Sequence, residues 1–235
     1  MRELYRKESQ CQIIHDSALS RGKADPYLIL AEGQIGGYGA AWNEDERGTL
    51  IEFYTIPKLR IIARQMFREL LAASKATHIE AQTNIPMMLS MLNDFTVNIT
   101  ARHLLFKDAF PTQLPCPNGV FRRTTPEDMP TMFPHHLEPV GGWCIEADGA
   151  IVATGDFLCH YNPPYGDIHM EVKASSRRQG FGSYIVQELK RVCYEAGKTP
   201  GARCSPANVG SRRTLEKAGF ILCGELLTGE VCAFT

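Results

Sequence analysis

The chain has 235 residues, a length that suits one large domain or two domains of about 100 to 150 residues. Its 25 basic and 26 acidic residues give a net charge of −1, so no overall field attracts nucleic acid or an anionic membrane. With 44% hydrophobic and 22% charged residues, the composition is that of a globular protein and excludes a disordered or collagen-like chain.

The distribution of apolar residues and of cysteines argues against a membrane-spanning or secreted protein and against a metal-binding protein. No apolar run approaches the length of a membrane span, and the first ten residues lack the apolar stretch of a secretion signal, so we predict a cytoplasmic protein. The eight cysteines are scattered without a C-x-x-C pair, and we predict reduced thiols and no metal site. His135 and His136 are adjacent and point in different directions on a regular element, which favours loop residues over metal ligands.

The sequence of the first half predicts strands followed by helices. Strand-like runs cover Tyr27 to Ala31, Ile35 to Trp42 and Leu50 to Ile56. A helical spacing of apolar residues begins at Arg60. A later amphipathic helix carries a methionine cluster that we interpret as core: Met87, Met88 and Met91.

Prolines and a glycine interrupt the pattern between Phe110 and Gly119, where we place the boundary between a domain at 1–115 and a domain at 116–235. The second half opens with a helix N-terminus at Thr125 to Asp128. Its remaining predicted elements are strands Trp143 to Glu146 and Ile151 to Leu158 joined by Asp148-Gly149, a strand from Asp167 to Val172, a helix from Ser183 to Ala196, a strand at 201–205, a helix from Ser211 to Ala218, and a closing hairpin from Phe220 to Phe234 that turns at Thr228-Gly229.

The two halves repeat the same order of elements. Arg177 follows Arg60 by 117 residues, and Asn208 follows Asn84 by 124 residues, with the drift confined to one loop. We infer two divergent copies of one α+β unit. The alternative is a coincidence between generic β-β-α patterns.

One segment carries most of the chemistry, namely RRQGFGS at residues 177–183, between a predicted strand and a predicted helix. Glycines in such a turn let successive backbone N–H groups point into one concavity, to which the helix adds its positive end. This pattern predicts a diphosphate cradle. It matches neither the dinucleotide-binding G-x-G-x-x-G nor the Walker loop with its lysine.

The segment resembles the pyrophosphate loop of the GNAT superfamily of acyl-CoA N-acyltransferases through Arg177, Gly180 and Gly182. The block ANVGSRRTLEKAGF at 207–220 resembles the downstream family block, with Asn208 and Ser211 in register. The resemblance implies an α+β fold of two GNAT-like mixed-sheet units in tandem, each with a mainly antiparallel central sheet and flanking helices. It also implies acetyl-CoA as cosubstrate, bound by Val172, Arg177, Arg178, Gln179, Gly180, Phe181, Gly182, Ser183, Asn208 and Ser211.

The same resemblance implies catalytic roles on the strand before the loop. The Val172 N–H is the candidate oxyanion donor, and Glu171, then His169, is the candidate general base. Each polar side chain on this strand has an equally good interpretation as a solvated strand face. Leu215 occupies the position where family members often carry a tyrosine general acid, and Tyr184 and Cys204 are weaker substitutes.

The first half departs from the family pattern. At the matching offset Ala63 and Gln65 replace both glycines, and their side chains would block the approach of a pyrophosphate. We therefore expect this copy to keep the fold without cofactor binding.

Taken together, the sequence predicts an N-acetyltransferase that moves an acetyl group from acetyl-CoA to a small-molecule or peptide amine by direct attack in a ternary complex. The alternative is a catalytically silent acyl-CoA-binding sensor or regulatory module. We expect no nucleic-acid or membrane partner and either a monomer or a homodimer. A loop of Tyr161, Pro163, Pro164 and Tyr165 is a candidate gate of the acceptor site.

Overall fold

The computed structural model describes residues 1–8, 16–44, 46–136, 139–159 and 163–232. Its α-helices are α1 (Arg2–Glu8), α2 (Asp16–Ser20), α3 (Ala63–Ser74), α4 (Pro86–Phe95), α5 (Phe181–Glu195) and α6 (Val209–Lys217). Its strands are β1 (Ala24–Ala31), β2 (Gln34–Trp42), β3 (Thr49–Thr55), β4 (His78–Gln82), β5 (Thr96–Asp108), β6 (Gly119–Arg123), β7 (Trp143–Ala147), β8 (Ala150–Leu158), β9 (Tyr165–Val172), β10 (Thr199–Cys204) and β11 (Phe220–Val231).

The chain divides into two compact units. The first comprises Met1–Leu104 with Gly224–Thr235, and the second comprises Leu105–Cys159 with Pro163–Cys223. This division falls at Leu104, before the predicted boundary at residue 115, and it assigns the later part of β11 to the first unit. The first unit is therefore built from more than one stretch of chain, whereas the sequence predicted a single boundary between two continuous domains.

Two local sequence patterns in the second unit, a hairpin turn and a helix cap, form the structures that they predict. Asp148 and Gly149 adopt positive φ angles of 52° and 74° and connect β7 to β8, as expected of an Asp-Gly hairpin. Thr125 and Asp128 form a capping box in which the Thr125 N–H donates to Asp128 Oδ2 at 2.7 Å. The element that this box begins is a short 3₁₀ helix, Pro126–Thr131, which ends after one interior proline.

The predicted closing hairpin is wrong. Phe220–Val231 is one continuous strand, and Thr228 and Gly229 pair with Glu80 and Ile79 of β4. A Cβ atom added at Gly229 would clash with the Thr96 hydroxyl. The glycine therefore permits a close approach between neighbouring strands, and it does not form a turn.

In the first unit, β1, β2 and β3 form an antiparallel meander and β3 pairs with β4 in parallel. Leu226 to Glu230 of β11 pair antiparallel with the other edge of β4. An aromatic group of Phe53, Phe67 and Phe95 joins this sheet to α3 and α4, with ring centroids 4.8 and 5.2 Å apart. Met88 and Met91 are buried in the same core, which confirms their interpretation as core residues.

The second unit repeats this order. β6, β7, β8 and β9 are antiparallel neighbours, and β9 pairs in parallel with β10. Helix α5 buries Ile185, Leu189 and Cys193 completely, and it contacts both β8 and β9. Three antiparallel strands followed by a parallel pairing therefore occur in both units, and β6 adds a fourth antiparallel strand to the second.

A buried ion pair supports the second unit. Lys190 of α5 is 4% exposed, and its Nζ lies 2.5 Å from the Asp108 carboxylate. The same ammonium donates to the carbonyls of Phe110 and Ala218, each at 2.8 Å. One cation therefore ties α5 to the end of β5 and to the last turn of α6 through one ion pair and two hydrogen bonds.

Candidate functional site

The strands β9 and β10 separate at the point where the sequence places its candidate residues. Their parallel register covers only Tyr165 to Asp167 against Thr199 to Gly201, although β9 continues to Val172. The second half of β9 therefore keeps β8 as its neighbour on one side and borders a gap on the other. A gap between two strands of a sheet leaves main-chain hydrogen-bonding groups available to a ligand.

The main chain of Val172 faces this gap. In an antiparallel pair, opposite residues alternate between those that exchange main-chain hydrogen bonds and those that do not. The N–H of Lys173 donates to the carbonyl of Val152 at 2.9 Å, so Val172, which lies opposite Ala153, belongs to a non-bonded pair. Its N–H and carbonyl point away from β8, and the carbonyl accepts a hydrogen bond from Arg177 Nε at 3.2 Å.

The turn after β9 exposes the N-terminus of α5. Arg178 and Gly180 have positive φ angles of 63° and 99°, and the first intrahelical bond runs from the Tyr184 N–H to the Gly180 carbonyl at 3.1 Å. The N–H groups of Phe181, Gly182 and Ser183 precede that bond and have no intrahelical acceptor. Gly180, the N-cap residue, provides no side-chain cap, and the first turn of α5 contains no acidic residue. This helix end is free to bind an anion.

The gap and the helix end open into one pocket of about 690 Å³ within the second unit. Four basic side chains and a single carboxylate, that of Glu171, line it, so the pocket carries a positive charge suited to a polyanion. The basic residues are Arg177, Arg178, Arg213 and Lys217.

Most of the predicted cofactor residues line this pocket. They are Val172, Arg177, Arg178, Gly180, Gly182, Ser183, Asn208 and Ser211. Two others lie outside it, because the Phe181 side chain is buried at 5% exposure and the Gln179 amide donates to the Ser175 carbonyl at 3.3 Å. The Asn208 Oδ1 accepts from the Ser211 N–H at 3.0 Å and so caps α6.

Glu171 lies at the pocket wall with a defined orientation. Its side chain is 13% exposed, and Oε2 accepts a hydrogen bond from the main-chain N–H of His136 at 3.0 Å. The His136 ring, 79% exposed, lies 3.9 Å from Oε1. Opposite Glu171 on β8, Thr154 contacts His135 Nε2 through its hydroxyl at 2.7 Å. The histidine pair thus belongs to a loop that folds over the carboxylate.

His169 and Asp167 occupy drier positions on the same strand. Burial lowers the pKa of His169 despite the nearby Asp156 carboxylate, so its imidazole is neutral at pH 7. His169 Nε2 is buried and has no hydrogen-bond partner among the described residues. Burial raises the pKa of Asp167 to about 6, although Arg203 lies 3.1 Å from its carboxylate. His169 does not line the pocket, whereas Glu171 does.

Neither candidate general acid, Cys204 or Tyr184, lines the pocket. Leu215 is 4% exposed and packs in the core. Burial raises the pKa of Cys204, whose thiol also interacts with Ser211, and burial raises the pKa of Tyr184. Tyr161, in the candidate gate, lies outside the described residues.

Sequence reasoning missed several residues of the pocket. His136 was interpreted as an ordinary loop residue, and only the path of that loop brings it to Glu171. Met170 and Thr214 were also missed. Ser211, Thr214 and Lys217 are spaced three residues apart and lie on one face of α6, so this spacing could have indicated Thr214 and Lys217 as pocket residues.

Comparison with known proteins decides the family of the second unit. The sequence model of the acetyltransferase (GNAT) family matches residues 105–220. Residues 105–220 are a GNAT acetyltransferase domain. The family and the fold are those of acyl-CoA N-acetyltransferases. No curated protein matches the chain in sequence.

Solved structures extend the GNAT fold to nearly the whole chain. A GNAT-family acetyltransferase from Colwellia psychrerythraea superposes with a TM-score of 0.79 at 14% identity, covering 98% of this chain and 94% of that chain. A GCN5-related N-acetyltransferase from Kribbella flavida gives 0.56 at 16% identity over 98% and 96% of the two chains. A tandem GNAT protein from the clavulanic acid biosynthesis pathway gives 0.53 at 14% identity over 90% and 84%.

The tandem GNAT-like architecture predicted from the internal repeat is therefore confirmed, with a mostly antiparallel mixed sheet and flanking helices in each unit. The GNAT domain contains the separated strands, the uncapped helix end and the basic pocket. Within the described residues, no helix combines the length and apolar character needed to cross a membrane.

Proposed function

We propose that this chain transfers an acetyl group from acetyl-CoA to a primary or secondary amine, using the pocket of the GNAT domain. The observation that carries the proposal is the meeting of two features in one pocket of about 690 Å³, namely the gap beside Val172 and the uncapped N-terminus of α5. The first suits an extended amide-bearing arm, and the second suits a diphosphate. A thioester placed between them has its carbonyl at the end of β9.

The basic residues of the pocket have different roles in binding the cosubstrate. The N–H groups of Gly182 and Ser183 bind the diphosphate, assisted by the charge of Arg178. Arg213 and Lys217 on α6 supply charge for the remaining phosphate of the cosubstrate. Arg177 has a different role, because its guanidinium holds the Val172 carbonyl and fixes the end of β9.

The chemical step needs a neutral amine beside the thioester carbonyl. The amine nitrogen forms a bond to the acetyl carbon, the carbon–sulfur bond breaks, and the amine proton leaves. The Val172 N–H stabilises the negative charge that develops on the carbonyl oxygen. Glu171 accepts the amine proton directly or through water, and the thiolate leaves without a protein acid because its pKa lies near 8 to 9.

Glu171 is preferred to His169 as the general base because Glu171 lines the pocket and its carboxylate is oriented by the His136 N–H. The amine acceptor then approaches from the side of the His135–His136 loop. An acceptor that approaches as a cation is attracted by this carboxylate before it loses its proton.

Two measurements test the proposal. Isothermal titration calorimetry of acetyl-CoA against the wild-type chain should give micromolar binding at one site. Thiol release should then be measured with a panel of small amines and peptide amines. Saturable binding with thiol released for at least one amine supports the proposal, and absence of binding removes it.

The general base is tested by Glu171→Gln, which we expect to lower kcat by about 10² to 10⁴ while leaving the acetyl-CoA Kd unchanged. Glu188→Gln on α5 is the matched control, since Glu188 pairs with Arg191 and does not line the pocket. If His169→Gln causes the larger loss and abolishes an acidic limb below the ordinary histidine pKa, the base is His169.

A second candidate function is an acyl-CoA sensor without turnover. It is favoured by the buried Leu215, which leaves no hydroxyl at the position of the usual general acid. This alternative predicts acetyl-CoA binding with no thiol release from any amine, and no difference between Glu171→Gln and the wild type in any readout.

A further inference from the structure

The loop that carries Phe133, His135 and His136 is anchored on the sheet of the second unit. Phe133 is 9% exposed and packs with Cys144 and Ile151 in a small core. Its ring stacks on the ring of His135, with the two centroids 4.3 Å apart. His135 Nε2 lies 2.7 Å from the hydroxyl of the fully buried Thr154. The loop is therefore fixed to β8 one residue before it reaches the GNAT pocket.

The two histidines of this loop have different surroundings. The His135 ring contacts the sheet through Thr154, whereas the His136 ring is 79% exposed and lines the pocket. The main-chain N–H of His136 donates to Glu171 Oε2 at 3.0 Å, and its ring Nε2 lies 3.9 Å from Glu171 Oε1. His136 thus faces both oxygens of the proposed general base, one with its main chain and the other with its imidazole.

Glu171 needs an exit for the proton that it takes from the amine, since it must be ionised again before the next turnover. Its side chain is only 13% exposed, and the two substrates occupy the pocket side of the carboxylate during the reaction. A proton that stays on Glu171 stops the next cycle.

The pocket offers one group that can accept this proton. Among its described lining residues other than Glu171, the ionisable side chains are His136 and the cationic arginines and lysine, which have no free acceptor. Imidazole is the side chain that binds and releases protons most readily near pH 7. His169, on the same strand as Glu171, does not line the pocket. The exposed His136 ring joins the carboxylate to bulk water.

We propose that His136 is a proton-relay residue, which carries the amine proton from Glu171 to solvent. This inference rests on the proposed acetyl transfer. The amine N–H bond breaks as its proton binds Glu171 Oε1, and the proton then moves to His136 Nε2, which restores the carboxylate. The imidazolium releases one proton to water and becomes neutral again. A small rotation of the exposed ring brings Nε2 within hydrogen-bonding distance of Oε1.

The ring of His136 can be tested separately from its main chain. His136→Gln keeps the N–H that orients Glu171 and removes the imidazole. With the full chain, acetyl-CoA and an amine that releases thiol, we expect kcat to fall about tenfold, while the acetyl-CoA Kd and the acceptor KM stay unchanged. His78→Gln is the matched control, since His78 is exposed on β4 of the first unit, and it should keep the wild-type kcat.

Added imidazole distinguishes a relay from support of the loop. At constant pH and ionic strength, and after subtraction of the enzyme-free rate, imidazole should restore thiol release by His136→Gln. It should not change the rate of the wild type or of Glu171→Gln. Thr154→Val removes the hydroxyl that anchors His135 and keeps the His136 ring. Its kcat should fall without rescue by imidazole, because this variant loses orientation and keeps its proton carrier.

The possible results separate the relay from the acetyl transfer on which it rests. The relay is overturned if His136→Gln turns over like the wild type, if imidazole does not restore its rate, or if imidazole accelerates Thr154→Val equally. If the wild type releases no thiol with any amine, the acetyl transfer is wrong and the relay falls with it. A wild type that turns over beside an unaffected His136→Gln removes the relay alone.

Discussion

The two strand-to-helix turns of this chain occupy equivalent positions in their units and have opposite properties. Before α5, Gly180 adopts a φ of 99° and the first N–H groups of the helix open into a basic pocket. Before α3, a 3₁₀ helix uses its own amides and leads directly into Ala63. Strands and helices follow in the same order in both cases, so the fold does not depend on the glycines, whereas the open end of α5 does.

The units also differ in how they use a buried charge. In the second unit, Lys190 joins Asp108 and two main-chain carbonyls and holds helix ends together. In the first unit, Arg2 joins Glu52 and holds a short helix against β3. The first pair is nearly sealed from solvent, with 6% and 9% side-chain exposure, while Arg2 is 23% exposed. Substitutions in each unit test these differences, and the one with the largest expected effect is in the second unit.

Lys190→Met should lower the free energy of unfolding by about 3 to 5 kcal/mol, because it leaves the Asp108 carboxylate and two carbonyls without their cation. Chemical denaturation followed by circular dichroism measures this loss. Arg191→Met is the control on the next residue, whose ion pairs with Glu188 and Glu195 are exposed, and its cost should stay below about 1 kcal/mol. Equal losses for the two variants would contradict the assigned role of Lys190.

Gly182→Leu should weaken acetyl-CoA binding at least about a hundredfold, a free energy of about 2.7 kcal/mol. A side chain there begins within 3.5 Å of Met170 and Val172 and fills the gap beside β9. Calorimetry with acetyl-CoA measures the effect. Gln65→Leu, at the corresponding place in the exposed first turn of α3, should leave the affinity unchanged. Tight binding by Gly182→Leu would place the cosubstrate elsewhere.

Arg2→Met should lower the free energy of unfolding by about 2 kcal/mol, since the fully buried Glu52 keeps only the Tyr38 hydroxyl of its two described partners. Lys7→Met, an exposed change on the same helix, is the control and should be neutral. Thermal melting at pH 7 compares them. If Arg2→Met melts like the control, α1 is not anchored through this pair.

Lys217→Met should weaken acetyl-CoA binding about three- to tenfold at low salt, and the difference should shrink as ionic strength rises because exposed charges are screened. Titrations at two salt concentrations test it. Lys58→Met in the first unit should have no effect at either concentration. A loss that is independent of salt would mean that Lys217 contributes by packing and not by charge.

Local signals explain which parts of this fold the sequence predicts. Asp148-Gly149 forms its turn because both residues accept positive φ, and Thr125 with Asp128 forms its capping box because both partners lie within one turn. Thr228-Gly229 looks like the same kind of signal and lies inside a strand. Its partner, β4, is distant in sequence, and a pairing of that kind leaves no local trace.

The residues of the candidate site were likewise predictable only where they lie close together in the chain. The glycines and Asn208 were predictable because a strand, a turn and a helix follow one another in the chain. His136 was not, since it reaches Glu171 from a loop 35 residues earlier.

The placement of β11 affects how the chain folds during synthesis. Leu226 to Glu230 pair with β4, although they follow it by more than 140 residues. Because translation delivers the N-terminal part first, this edge of β4 stays unpaired until the whole of the second unit, which ends at Cys223, has been synthesised. An exposed strand edge invites pairing with other chains. The GNAT domain can therefore complete its sheet before the first unit does, and the stretch translated earlier is the one that needs protection from aggregation for longer.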